Sequence, residues 1–356
     1  MIDLHSHVLP GIDDGPPDMA GSLALARAAV AAGTSVMAAT PHIGLQYPVL
    51  ADELPERVAE LRRALAAARI PLEVVVGGEL ATSRAANISD QELDTIALGG
   101  GSCVLLECPF TRVGGLMATL VARLRERGFR VLLGHPERSP EFWRDTATLA
   151  ALVRAGAFVQ VTAGSLRGDF GRPVRRYALA LLGSGLVHVV ASDAHDAVSR
   201  SPAVLSVVRD AVRGRESPEA VTRFVTEEAP RALLDDAPLP GQRWLEPQPS
   251  TARGAQEAIE ATNGLPRSFV PTCPPLRATP SGRKMRPKSE SMRSFEKRAP
   301  AATPSRKRAI LQGTPFGGRP GQQREPIRRG LSGGGATCSG RRRAPRAGSR
   351  RCRSAA

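Results

Sequence analysis

Short apolar runs alternate with longer amphipathic ones through the first two-thirds of the chain. The short runs are Ile2–His5, Val36–Thr40, Leu72–Val76, Val104–Glu107, Val131–Gly134, Phe158–Thr162 and Val187–Ser192. Their length and β-branched content predict strands. Between them, apolar residues recur at helical spacing over Asp18–Ala32, Asp52–Ala68, Gly115–Arg127, Pro140–Ala155, Pro173–Leu182 and Pro202–Arg213. A further helix is predicted over Pro218–Glu228. Strands that alternate with helices form a parallel sheet. Seven near-equal repeats favour its closure into a TIM-like α/β barrel over an open, doubly wound sheet.

The periodicity ends near Trp244–Pro249, where Pro, Gly, Ser and Arg take over. This shift divides the chain into a barrel over residues 1–248 and a basic tail over 249–356. It also changes the meaning of the net charge, which is +15. From Thr251 onward there are 24 Lys and Arg against 5 Asp and Glu, and all four lysines (Lys284, Lys288, Lys297, Lys307) lie there. The body before it is mildly acidic. A tail of this composition buries too little apolar surface to offset ordering entropy, so it is expected to be disordered. It is a solvated appendage or a translation artefact in the plainest reading. Nucleic acid is an expected partner only through this tail, since no nucleic-acid-binding motif accompanies the charge.

The five cysteines (Cys103, Cys108, Cys273, Cys338, Cys352) contain no CxxC pair, which argues against a disulfide framework or zinc ribbon. No basic segment with an apolar run follows Met1, and no stretch of about 18 apolar residues occurs. A cytoplasmic protein without membrane insertion is expected. The helical face over Asp18–Ala32 is a candidate surface for a homo-oligomer.

The chemistry lies at the strand ends. In His5-Ser6-His7, residues i and i+2 of a strand point to the same face, so two imidazoles aim at one point. His42 follows the second strand, Glu79 the third, Glu107 ends the fourth, and His135 follows the fifth. Asp193 and His195 follow the seventh. Carboxyl ends of parallel strands are where α/β folds build sites. Taken singly, a histidine after a strand is more often a cap or packing residue and Glu107 could be a salt-bridge partner, while the paired histidines point equally to metal or to packing; the joint pattern favours metal. Five of the six histidines fall at this end, and His188, within its strand, is read as structural. Eight ligand-type residues exceed the needs of one tetrahedral zinc and suit two or three divalent ions bridged by carboxylates. Imidazole and carboxylate without thiolate permit Mn, Fe or Zn.

Arg138 and Arg200 lie three and five residues after candidate ligands. A guanidinium fork there suits a phosphate. Asp13 and Asp14 follow the paired histidines as either partners of those imidazoles or plain turn acids. No cysteine begins a C-x5-R phosphate loop, which leaves a thiol-nucleophile phosphatase unsupported.

The segments HSH, TPH, GGE, GHPER and ASDAH together resemble the polymerase and histidinol phosphatase (PHP) superfamily. The opening DLHSHVLPGIDDGP, followed by ATPH, GHPER, AGSLRGDFG and ASDAH…SRSP, looks like the metal-dependent protein-tyrosine phosphatases of bacterial capsular and exopolysaccharide loci. The resemblance covers roughly Met1 to Leu234 and leaves the tail without a counterpart. It implies a distorted (β/α)7 barrel and a trinuclear, usually Mn2+-dependent site. The partner implied is an autophosphorylating bacterial tyrosine kinase that regulates polysaccharide export. Carried over, the ligands are His5, His7, His42, Glu79, Glu107, His135, Asp193 and His195, with Arg138 and Arg200 on the phosphate. Two positions depart from the pattern: Thr162 and Asp196 each stand where asparagine is expected.

The chemistry expected is metal-assisted hydrolysis, with Asp14 or a metal-held water as any proton donor. One rival keeps the fold and takes a small phosphomonoester such as histidinol phosphate. Another is a nucleic-acid-associated protein working through the tail. A third, a catalytically silent regulator, fits poorly with a full ligand set.

Overall fold

A computed structural model describes residues 1–240. The expected tail over 249–356, and the boundary before it, lie outside the described residues. Nine parallel strand segments form the sheet: β1 (Ile2–Asp3), β2 (Val36–Ala39), β3 (His42–Ile43), β4 (Glu73–Val76), β5 (Glu79–Leu80), β6 (Cys103–Glu107), β7 (Arg130–Gly134), β8 (Phe158–Thr162) and β9 (Val189–Ala191). One run pairs β1, β2 and β4; the other runs β3, β5, β6, β7, β8 and β9.

The nine segments make seven strands. Pro41, without an N–H, separates β2 from β3. Gly77 and Gly78 separate β4 from β5. A Cβ on Gly78 would lie 2.8 Å from Ile43 Cγ1 and 2.9 Å from Ile96 Cβ, so only glycine fits the break. The ring closes where the first strand meets the last. Ser6 bridges Ala194 in parallel, Asp193 N donates to His5 O at 2.8 Å, and His7 N donates to Ala194 O at 2.9 Å. Asp3 ties the same seam, its Oδ1 accepting from Ser192 N and His5 N. The expected seven-stranded barrel is therefore present, distorted by two broken strands.

Two apolar layers hold it. Alternate residues of β6 to β9 face outward, where Val104, Leu106, Val131, Leu133, Val159, Val161 and Val190 pack under the helices. The inner set includes Leu4, Ala38, Cys103, Leu105, Leu132, Val189 and Ala191, joined by Leu98 and Leu233. The helix Ala229–Leu234 covers the end opposite the strand carboxyl termini, where Ala232 O accepts from Arg130 at 3.0 Å.

Several helices depart from expectation, among them short ones over Thr82–Ala85, Ala163–Arg167 and Ala229–Leu234 that were not anticipated. The predicted helix over 140–155 is two, Pro140–Arg144 and Thr146–Arg154, because Asp145 caps the second by accepting from Thr148 N. The predicted Pro202–Arg213 shortens to Leu205–Ala211. Asp90–Ile96 was not anticipated, although Ser89 and Glu92 form a capping box that its sequence announces. No helix among the described residues is long and apolar enough to cross a membrane.

Candidate metal centre

Two-residue alternation carries the inner face of the barrel up to its mouth. Cys103 and Leu105 point inward, and so does Glu107 two residues on; Val189 and Ala191 lead likewise to Asp193. His135 and Asp193 take left-handed backbone, with φ of 38° and 52°, just past their strands. Such conformations in non-glycine residues cost roughly 1–3 kcal/mol and cluster where a site dictates the geometry.

All eight expected ligands converge at this mouth. Their donor atoms form overlapping groups, each within 4.8 Å: His5, His7 and Asp193; His5, Glu79 and His135; His42, Glu79 and Glu107. A fourth group adds Asp14 to His7, His42 and His195. Glu79 is central. Its Oε1 lies 2.8 Å from His135 Nε2 and 3.4 Å from His5 Nε2; its Oε2 lies 3.0 Å from His42 Nδ1 and 3.5 Å from His7 Nε2. Asp14 Oδ1 lies 3.2 Å from His195 Nε2 and 3.5 Å from His42 Nε2. Both expected arginines meet Asp193 Oδ2, Arg138 at 2.9 Å and Arg200 at 2.8 Å. The centre is buried except along one side, where Asp14 and His42 are 21% exposed and Arg200 is 20% exposed.

Two observations test whether cations fit. First, Nε2 of His5, His7 and His195, Oδ1 of Asp14 and Oε2 of Glu79 are buried and make no hydrogen bond. An unpaired buried polar atom costs about 1–3 kcal/mol, so five converging in one volume are suited to ligation. Second, the electrostatics call for positive charge. Burial opposes ionisation of Glu79, yet the imidazoles of His5 and His42 hold its pKa well below the usual carboxylate range. Burial opposes ionisation of Asp193 too, and Arg200 and His5 overcome it. His42 resists burial beside Glu79 and Asp14 and is pushed up to about 10. Glu107, buried and repelled by Glu79, rises to about 7. The residues present fit divalent cations.

A surrounding shell fixes the imidazoles. Asp13 Oδ2 lies 2.6 Å from His7 Nδ1 and accepts from His42 N at 3.1 Å, so the first of the two turn acids is the histidine partner. With its other nitrogen so engaged, His7 presents Nε2 to the centre. Gln160 does the same for His5: its Oε1 lies 3.0 Å from His5 Nδ1 and accepts from His135 N at 3.2 Å. Nothing local in the sequence marks Gln160; its place on the inner face of β8, two residues before Thr162, was the available signal. Thr162 shares the inner face of β8 with Gln160, its hydroxyl accepting from Gln160 Nε2 at 3.4 Å, while its N–H donates to Glu137 at 2.9 Å; it belongs to none of the ligand groups. Asp196 organises the loop that presents Arg200, accepting from Val198 N and Ser199 N at 2.6 and 2.5 Å. His188 lies outside the centre and accepts from Val159 N at 3.1 Å.

The chain is similar to known proteins. The family model described as capsular polysaccharide synthesis, CpsB/CapC, matches residues 1–234. The chain is 35% identical over 202 residues to tyrosine-protein phosphatase YwqE of Bacillus subtilis, which spans 56% of this chain and 80% of that protein. It is 23% identical over 208 residues to tyrosine-protein phosphatase CpsB of Streptococcus pneumoniae, spanning 57% of this chain and 86% of that one. A crystal structure from work on YwqE and CpsB, described as unique metal-dependent tyrosine phosphatases, superposes with a TM-score of 0.60. Sequence identity there is 32%, with 67% of this chain and 96% of that one covered. The family model spans well over half of the chain, and the chain belongs to the CpsB/CapC capsular polysaccharide synthesis family.

Proposed function

We propose that this chain is a metal-dependent protein-tyrosine phosphatase. Its substrate is phosphotyrosine on a bacterial tyrosine kinase that governs capsular or exopolysaccharide synthesis, and it works in the cytoplasm. The observation that carries this is the meeting of a carboxylate–imidazole cluster with two arginines on Asp193, at the one open side of a buried mouth.

The ions proposed are two or three Mn2+, held by His5, His7, His42, Glu79, Glu107, His135, Asp193 and His195. Asp14 joins them as a ligand. Burial works against its charge, but His195 and His42 keep it far below the ordinary carboxylate range, so it is a poor proton donor. This replaces the role of acid expected for it. When bound, divalent ions supply an acidified water and balance charge on the phosphoryl oxygens.

The protein's own residues do the rest. Arg138 and Arg200, poised on one carboxylate oxygen, present N–H donors to the phosphate. Asp13 and Gln160 hold His7 and His5 in one orientation. The buried walls keep bulk water from the reacting phosphate, which enters beside Asp14, His42 and Arg200. The tyrosine phenol has a pKa of about 10, so tyrosinate leaves without a strong acid.

The test is a comparison of kcat/KM for a phosphotyrosyl kinase peptide and for histidinol phosphate with Mn2+-loaded protein. A preference of at least tenfold for the peptide is expected. A preference for histidinol phosphate would assign the same centre to a small phosphomonoester.

A further inference from the structure

The segment Ala163-Gly-Ser-Leu-Arg-Gly-Asp-Phe-Gly171 holds no ligand, yet it folds into a compact device beside the centre. A short helix, Ala163–Arg167, ends at Gly168 with φ of 107°. Asp169 N and Gly168 N both return to Gly164 O, at 3.0 and 2.9 Å, and Gly171 N reaches Gly168 O at 3.0 Å. The turn folds back on the helix so closely that a Cβ on Gly164 would lie 2.9 Å from Asp169 Oδ2 and 3.2 Å from Phe170 Cε2. The side chain delivered by this turn is Phe170, whose ring centroid lies 4.2 Å from Arg138 Cζ.

A second ring bears on the same guanidinium. Phe110, just past β6, has its centroid 4.6 Å from Arg138 Cζ. It also stacks on His135, with centroids 5.6 Å apart and planes 7° from parallel. Arg138 is only 3% exposed. A cation over an aromatic face gains most when it is desolvated, as here. Rings over the guanidinium leave its planar N–H edge for hydrogen bonding, and one N–H of that edge already reaches Asp193 Oδ2.

We propose that Phe170 and Phe110 are positioning residues that fix Arg138 edge-on to the substrate phosphate, and that the Gly164–Gly171 turn exists to seat Phe170. This rests on the phosphate-binding role proposed above for Arg138. The two rings differ in one respect. Phe170 acts on Arg138, whereas Phe110 acts on Arg138 and His135 together. Their removal therefore separates phosphate binding from metal binding.

The experiment uses the full chain loaded with Mn2+, with inorganic phosphate as competitive probe and p-nitrophenyl phosphate as substrate. Phe170→Leu is expected to weaken phosphate inhibition and lower kcat/KM about tenfold, with bound metal unchanged. Phe170→Tyr keeps the ring and should restore both to within about twofold. Phe110→Leu should show the same loss together with weaker Mn2+ binding. Gly164→Ala, whose Cβ would press on Asp169 Oδ2 and on the Phe170 ring without touching Arg138, should weaken phosphate inhibition in the same direction as Phe170→Leu. Arg138→Ala is the control for the underlying role. If it weakens phosphate inhibition while folded, metal-loaded Phe170→Leu does not, the positioning proposal is overturned and the Arg138 role stands. If Arg138→Ala leaves phosphate inhibition intact, both are overturned.

Discussion

Replacing Gln160 by leucine should weaken metal binding by ten- to a hundredfold without unfolding the barrel. Gln160 Oε1 accepts from two buried groups, the backbone N–H of His135 and the His5 ring. The backbone partner fixes which end of the amide is the oxygen, and the oxygen in turn requires a proton on His5 Nδ1. That leaves the lone pair of His5 Nε2 directed at the centre, between Glu79 at 3.4 Å and Asp193 at 3.6 Å. Leucine has similar volume but leaves both donors unpaired. Each costs roughly 1–3 kcal/mol when buried. Loss of an outer partner of a ligating histidine typically costs 10–100-fold in affinity, which is about 1.4–2.7 kcal/mol and matches one such donor. Calorimetric titration of metal-stripped protein with Mn2+ reads the affinity, and circular dichroism checks the fold. A folded Gln160→Leu protein that binds Mn2+ within twofold of wild type would refute the reasoning.

Three further outcomes are expected. Asp13→Ala removes the partner of His7 Nδ1 and His42 N and should lower Mn2+ affinity at least tenfold, again by titration; unchanged affinity would mean that Asp13 only shapes its turn. Gly78→Ala forces a Cβ to within 2.8 Å of Ile43 and should destabilise the barrel by about 1–3 kcal/mol, read as a lower Tm; an unchanged Tm would show that the strand break tolerates a side chain. Burial lowers His188 to about 4, so the unfolded chain takes up its proton first as pH falls. Its contribution is therefore complete above about pH 6.5 and lost toward pH 4, by up to about 3 kcal/mol. Denaturant unfolding of metal-loaded wild type and His188→Asn should converge across that window; parallel curves would exclude the effect.

The sequence made the strand-end candidate ligands visible because strand alternation and chain order place them independently of any packing detail. His5 and His7 share a face by spacing alone, and Glu107 and Asp193 follow from the inner faces of β6 and the last strand. What stayed hidden depends on contacts between distant segments. Gln160 is an ordinary polar residue until its strand lies between His5 and His135. Asp14 looks like half of a turn until the loops bearing His42 and His195 close over it. The breaks at Pro41 and Gly77–Gly78 are visible as residues, but that the strands resume beyond them follows only from pairing of β3 with β5 and β5 with β6. Phe170 shows the same limit, since its role is set by a turn that folds back on Gly164. The motif that carries it was readable, while its purpose was not.

The central claim is that hydrolysis of phosphotyrosine depends on cations held at the mouth formed by His5, His7, Glu79 and their neighbours. The direct measurement is release of phosphate from a phosphotyrosyl peptide by protein stripped with chelator, before and after addition of Mn2+. Activity should vanish on stripping and return with Mn2+ in wild type, and should stay absent in Glu79→Gln at the same Mn2+ concentration. Full activity in chelator, or undiminished activity of Glu79→Gln, would contradict it.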